Sequence, residues 1–419
     1  MTPHEELALL LRPAAGGLYL VSTGRAQQLE VQRRLYGAST QDEVLARFRA
    51  SFDRIAGARA VLLGVPSDVG AGFLRGSNMG PQAIRTALLD AHPDFPERAR
   101  DIGLVDIGDV FVVPQLLHDD MLSEAQKAAS RRALYPGVPE PVAARLPVSP
   151  LSIAERALDL VFSINPDVAP IVLGGDHSTA LPVARAIATA RARGARRRPW
   201  GIVQPDAHTD LLEERLGVAY CFATWSYHAN ELVGRGGRLT QVGVRASQKP
   251  REHWESRYGV RQFWAAECRA DPEAALDAIV AHVKSTGVEG VYFSNDIDGT
   301  DAAYADATGT PEPDGLSPDF VVALIRRLGR EVGLIGGDVM EVAPALQPTP
   351  ESAARTLALA VRYLRETIEA VVGRARLIWR ARLAPRARQA PLRDSGIQGS
   401  EPFAAGRAAS RAQSLHDPS

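Results

Sequence analysis

The chain predicts a three-layer α/β/α domain on a mostly parallel sheet of about eight strands. From Ala60 onward, short apolar runs alternate with segments of helical period, and several of those runs are apolar at successive positions. With 419 residues and 45% apolar content there is enough chain for one large core. Strand and helix signals in alternation imply parallel strands joined by crossover helices. A strand covered on both faces reads as a continuous apolar run, not as a strict alternation.

Taken in order, residues 1–57 precede the first core strand and form an N-terminal extension, with a helix-compatible stretch from Gln41 to Phe52. Strands are expected near 60–65, 104–108, 170–174, 201–206, 239–244, 260–263, 290–295 and 332–338, and helices near 81–90, 152–165, 179–193, 272–285 and 317–330. The stretch from His118 to Pro150 breaks this rhythm with Tyr135-Pro136-Gly137-Val138-Pro139 and reads as a long insertion of the kind that often borders an active site. After Pro350 the positions Leu357, Val361, Leu364, Ile368 and Val371 recur at helical spacing, so a last amphipathic helix closes the domain near Gly373. Residues 374–393 carry seven arginines and no acid, which predicts a disordered tail or a subunit-contact arm over 374–419. The domain proper is therefore 58–373.

A net charge of −1 argues against nucleic acid or an anionic membrane as partner. No apolar window approaches the length of a membrane span, and the start has no basic leader. The two cysteines, Cys221 and Cys268, fall in separate elements, which favours a reducing compartment and a cytoplasmic protein.

Chemistry concentrates in three fragments: Gly174-Gly175-Asp176-His177-Ser178, Asp206-Ala207-His208-Thr209-Asp210 and Ser294-Asn295-Asp296-Ile297-Asp298. Each follows an apolar run. Asp206, His208 and Asp210 are two apart, and so are Asp296 and Asp298; on an extended backbone such residues point to one face. In open parallel sheets ligands sit beyond the carboxyl ends of the strands, so the fragments should converge on one edge. His177, Asp206, His208, Asp210, Asp296 and Asp298 would then offer two imidazoles and four carboxylates, whose charge two divalent cations balance. Six ligands do not fill two five- or six-coordinate shells, so a carboxylate bridges and solvent takes the open positions. An oxygen-rich set without thiolate suits Mn²⁺ best, with Ni²⁺, Fe²⁺ or Co²⁺ as alternatives.

At these residues the chain resembles the ureohydrolase superfamily of arginases, agmatinases, guanidino-acid hydrolases and formimidoylglutamases. The resemblance extends through Gly64-Val65-Pro66-Ser67-Asp68, Gly80-Pro81-Gln82-Ala83-Ile84-Arg85, Thr308-Gly309-Thr310-Pro311 and Asp338-Val339-Met340-Glu341-Val342, and covers about residues 58 to 373. It implies an arginase-like fold and a hydrolase of the C–N bond of a linear amidine. The substrate would be a small guanidino compound, agmatine-like or a guanidino acid, releasing urea. It further implies that His177, Asp206, Asp210 and Asp296 hold one ion, that Asp206, His208, Asp296 and Asp298 hold the other, and that Glu341 grips a guanidinium flanked by Thr310. A homo-oligomer, trimeric or hexameric, follows by the same resemblance.

One departure stands out. Where arginases and agmatinases place a His-Gly pair that shuttles protons, this chain reads Ala219-Tyr220-Cys221-Phe222-Ala223-Thr224-Trp225. His228 and Asp210 are then the candidate proton carriers. The loss also keeps other readings open: a formimidoylglutamase-type hydrolase, a silent metal-binding relative or regulatory subunit, a single-zinc deacetylase architecture, or Cys221 acting as a nucleophile.

Overall fold

The computed structural model describes residues 1–20, 22–193 and 198–373. The arginine-rich tail lies outside the described residues. A two-residue strand, β1 (Leu11–Arg12), comes first, followed by β2 (Ala60–Gly64), β3 (Leu104–Val110), β4 (Ala169–Leu173), β5 (Gly201–Pro205), β6 (Leu239–Val244), β7 (Arg261–Trp264), β8 (Val291–Asp296) and β9 (Leu334–Met340). They form one sheet in the order β1-β3-β2-β4-β9-β8-β5-β6-β7. The eight expected strands are all there and run parallel; β1, which no sequence signal marks, pairs antiparallel with β3 at the edge.

Alternate residues of each strand feed two separate cores, which makes the architecture three-layered. In β2, Val61 and Leu63 pack on one side with Leu158 and Val161, while Ala60 and Leu62 pack on the other with Ile84 and Leu88. The covering helices start where capping chemistry allows. Ser317 accepts a hydrogen bond from the Phe320 N–H, with Pro318 in the first turn, to open helix Pro318–Glu331, and Asp271 caps Pro272–Ser285 in the same way. Helix Pro318–Glu331 then buries Phe320, Val321, Leu324, Ile325 and Leu328, each worth about 1.5–3 kcal/mol of removed apolar surface. Thr349 caps the closing helix, Pro350–Val372.

The N-terminal extension is part of the core. Helix Pro3–Leu10, opened by a Thr2/Glu5 capping box, buries Leu7 and Leu10 completely, and Arg156 of helix Pro150–Ile164 ion-pairs with Glu6 at 2.6 Å. Among the described residues no helix is long and apolar enough to cross a membrane.

Strand order decides where the site falls. The central neighbours β4, β9, β8 and β5 all run the same way, so the segments leaving their carboxyl ends emerge side by side. Those segments carry His177, Glu341, Asp296 and Asp206.

Candidate metal centre

Backbone at the strand ends sets the donors. Asp296 closes β8 and caps the short turn Ile297–Gly299, its Oδ1 accepting the Asp298 N–H, so the two carboxylates keep a fixed offset. Asp206 follows β5 directly, and its Oδ1 accepts the His208 N–H at 2.7 Å. The expected extended run through Asp210 is not continuous strand: Asp210 takes a left-handed φ of 51°, which turns its carboxylate back toward His177. Glu341, just after β9, has φ 61° and accepts the His177 N–H at 2.8 Å. Non-glycine residues in this region carry strain, and strain gathers at functional sites. The Gly-Gly pair before His177 is needed for room, because a side chain at Gly175 would collide with the Ser67 backbone.

Five of the six predicted ligands meet in two groups, and Asp210 lies beside the first through His177. His177 Nδ1 lies 3.0 Å from Asp296 Oδ2, 3.2 Å from Asp206 Oδ2 and 3.5 Å from Asp210 Oδ2. His208 Nδ1 lies 3.1 Å from Asp298 Oδ2 and 3.6 Å from Asp206 Oδ1. His177, Asp206 and Asp296 thus form one ligand triangle and Asp206, His208 and Asp298 another, with Asp206 common to both through different oxygens.

The electrostatics fit a pair of cations. Burial and the neighbouring carboxylates push Asp210, Asp296 and Glu341 well above the usual carboxylate range. Burial opposes ionisation of Asp206 too, but hydrogen bonds with His177 and His208 outweigh it and hold its carboxyl low. Burial would likewise depress both imidazoles, yet facing aspartates raise His177 and His208 well above their ordinary value. This is an excess of buried negative charge around two nitrogen donors. Divalent cations bound here would offset it and leave the imidazoles neutral, as ligation requires.

Further partners, none of them picked out by sequence, hold these ligands. Trp225 stacks on the His177 ring at 4.4 Å and donates from Nε1 to Asp210 Oδ2 at 3.0 Å. Ser294 Oγ sits 3.0 Å from His177 Nε2 and bonds Asp338 Oδ2 at 2.9 Å; burial raises the Asp338 carboxyl to about 6. Gln204 donates to Asp206 Oδ2 at 2.7 Å. Gln204 was within reach of sequence reasoning, since it continues the period-two row of Asp206, His208 and Asp210. Trp225 carries no local signal, and Asp338 opens the stretch Asp338 to Val342, in which only Glu341 has a role assigned to it.

The remaining predicted residues divide. Thr310 donates to Asp298 Oδ2 at 3.0 Å, and Glu312 Oε1 lies 3.9 Å from His208 Nε2 on the same loop. His228 is engaged elsewhere: its Nε2 lies 2.9 Å from the Ala219 carbonyl, and its ring sits between Tyr220 and Tyr227. Cys221 is buried, and burial pushes its thiol up, opposite to what a nucleophilic cysteine needs.

A cavity of about 570 Å³ adjoins the ligand segments. Its walls are Val69 to Phe73, Gln115 and Leu117 just before the insertion, Met121 and Leu122 within it, and the loop from Arg215 to Phe222. The wall residue Gly70 donates to Asp176 next to His177, and its carbonyl accepts the Phe222 N–H. So the insertion borders the cavity, and Phe222 stands in its wall. The lining is apolar apart from Gln115, Tyr220 and one charged side chain, Arg215, whose guanidinium lies over the Phe222 ring at 5.0 Å.

Fold and donor set together define a metal-dependent α/β hydrolase. The description of the arginase family matches residues 58–368, and the chain belongs to that family, whose members hydrolyse amidino C–N bonds on a binuclear metal centre. Guanidinobutyrase of Pseudomonas aeruginosa is 30% identical over 298 residues, 69% of this chain and 80% of that protein. Mitochondrial agmatinase of Gallus gallus is 31% identical over 298 residues, 69% and 75% of the two chains. Among solved structures, proclavaminate amidino hydrolase of Streptomyces clavuligerus superposes with a TM-score of 0.55 at 26% identity, over 75% of this chain and 92% of that one.

Proposed function

We propose that this protein hydrolyses an ω-guanidino acid to urea and an amino acid on two manganese ions. His177, Asp206, Asp210 and Asp296 hold one, and Asp206, His208, Asp296 and Asp298 hold the other. The observation that carries the reading is the pair of ligand triangles sharing Asp206. Two bound divalent ions supply water that ionises near neutral pH as the nucleophile.

The chain's own residues do the rest. Glu341 has one oxygen fixed by the His177 N–H and keeps the other to pair with the substrate guanidinium. Thr310 flanks that group from the Asp298 side. Asp210, anchored by Trp225, would take the proton of the attacking water and pass it to the leaving amine. His228 is not given this task, because its ring faces Ala219.

The substrate tail follows from the cavity. Arg215 offers a guanidinium to a carboxylate, whereas no acid among the lining residues awaits an amine. Two relatives, guanidinobutyrase and proclavaminate amidino hydrolase, are named for acids, which agrees. Phe222 in place of a proton-shuttling histidine favours a second reading, hydrolysis of a formimino compound with release of formamide. Oxygen-rich donors support manganese, and two free, buried cysteines support the cytosol; a homo-oligomer is proposed from the family resemblance, with light scattering as its check.

The test is urea release from 4-guanidinobutanoate and from agmatine, with formamide release from a formimino substrate alongside. The guanidino acid is expected to have the highest kcat/KM. In Arg215→Ala its KM should rise by about tenfold or more, with kcat changed little. Preference for agmatine, undiminished by that substitution, would contradict the proposal.

A further inference from the structure

A file of buried amides crosses three neighbouring strands of the sheet and ends on the shared aspartate. Gln204 on β5, Gln241 on β6 and Gln262 on β7 are fully buried and directly in register. Trp264 Nε1 donates to Gln262 Oε1 at 2.9 Å, Gln262 Nε2 to Gln241 Oε1 at 2.8 Å, Gln241 Nε2 to Gln204 Oε1 at 3.0 Å, and Gln204 Nε2 to Asp206 Oδ2 at 2.7 Å. The direction is forced at both ends. An indole N–H can only donate and an ionised carboxylate can only accept, so every amide between them presents its N–H toward the site. Gln241 also donates to the Thr209 carbonyl at 2.5 Å, between His208 and Asp210, and Ser226 Oγ donates to Gln204 Oε1 at 2.8 Å.

We propose that the Gln204–Gln241–Gln262–Trp264 chain is a positioning brace that fixes the rotation of Asp206, so that each of its oxygens serves a different cation. Oδ1 already accepts the His208 N–H and faces the His208 triangle; Oδ2 accepts Gln204 and faces His177. One lone pair of each oxygen is thereby taken by a protein N–H, and the other is left for an ion. Three buried amides in a strand interior are costly unless all are satisfied, and here the acceptor at the end of the file is the ligand itself. The bond from Gln241 to Thr209 extends the brace to the backbone that carries His208 and Asp210. Through this chain the outermost strand, β7, contributes to a ligand at the end of β5, two places in along the sheet.

The inference rests on the metal reading, so wild-type binding is measured with it. Mn²⁺ is titrated by calorimetry into metal-stripped full-length protein: wild type, Gln241→Leu and Trp264→Phe. Melting temperatures of the metal-free proteins are recorded beside them. Trp264 is only partly buried, so Trp264→Phe disturbs the interior less than a change at Gln241 and covers the case in which Gln241→Leu fails to fold. Expected are two ions in wild type, affinity lower by about 10- to 100-fold in Gln241→Leu, and a smaller loss, near fivefold, in Trp264→Phe. If wild type holds two ions and the folded variants match it within twofold, even with lowered melting temperatures, the glutamines are ordinary core residues and the proposal is overturned alone. If wild type holds none, the metal reading and this proposal fall together.

Discussion

The two halves of the centre share Asp206 but differ in their surroundings. On one side His177 is fully enclosed, stacked on Trp225 and bonded through Ser294 to Asp338. On the other, the His208 side chain keeps 26% of its surface, with Thr310 and Glu312 from a single loop at its edge. An enclosed ligand triangle with a rigid outer frame is expected to hold an ion more tightly than an exposed one. The contrast teaches that two ligand triangles joined by one aspartate can differ in enclosure, and it predicts unequal affinities for their ions.

The largest expected effect comes from breaking what the halves have in common. Asp206→Asn should lower turnover by about three orders of magnitude or more and reduce the ions bound from two, read by urea assay and elemental analysis. Next, His177→Ala and His208→Ala should each cost one ion, but His208→Ala should leave the tighter of the two, a distinction that chelator competition measures. Equal loss of both ions in the two variants would break the comparison. Trp225→Phe keeps the stacking and removes the bond to Asp210, so turnover should fall by about 10- to 100-fold while the fold survives.

A pH measurement sharpens the same contrast. Asp338, behind the enclosed half, titrates near 6 in the folded protein against 3.8 ordinarily. The folded metal-free protein therefore holds this proton more tightly than the unfolded chain does, and Asp338 alone should lower stability by up to roughly 1.4 kcal/mol per pH unit as pH rises from about 4 to about 6, in the same direction as the raised Asp210, Asp296 and Glu341. Bound metal should flatten that slope, as seen in chemical denaturation at several pH values. The smallest effect is expected from Cys221→Ser, with turnover within about twofold of wild type; loss of all turnover would revive a thiol mechanism.

Much of this was legible in the sequence because its signals are local. The period-two rows Asp206-x-His208-x-Asp210 and Asp296-x-Asp298 sit at the ends of apolar runs, and the strands and main helices form close to where periodicity puts them. What stayed hidden depends on distant register. Gln241 and Gln262 acquire meaning only when β5, β6 and β7 align, and Asp338 only when β9 lies beside β8. β1 is two residues long, too short to leave a pattern, and the core role of Leu7 and Leu10 depends on their meeting helix Pro150–Ile164. For His228, spacing in the sequence does not show that its Nε2 is engaged by the Ala219 carbonyl.

The most direct measurement is the number and separation of metal ions in crystals of the manganese-soaked protein, located by anomalous scattering. Two ions should appear between His177 and His208, close enough for the Asp206 carboxylate to touch both. A single ion, or two sites too far apart to share Asp206, would contradict the binuclear centre on which the hydrolase reading stands.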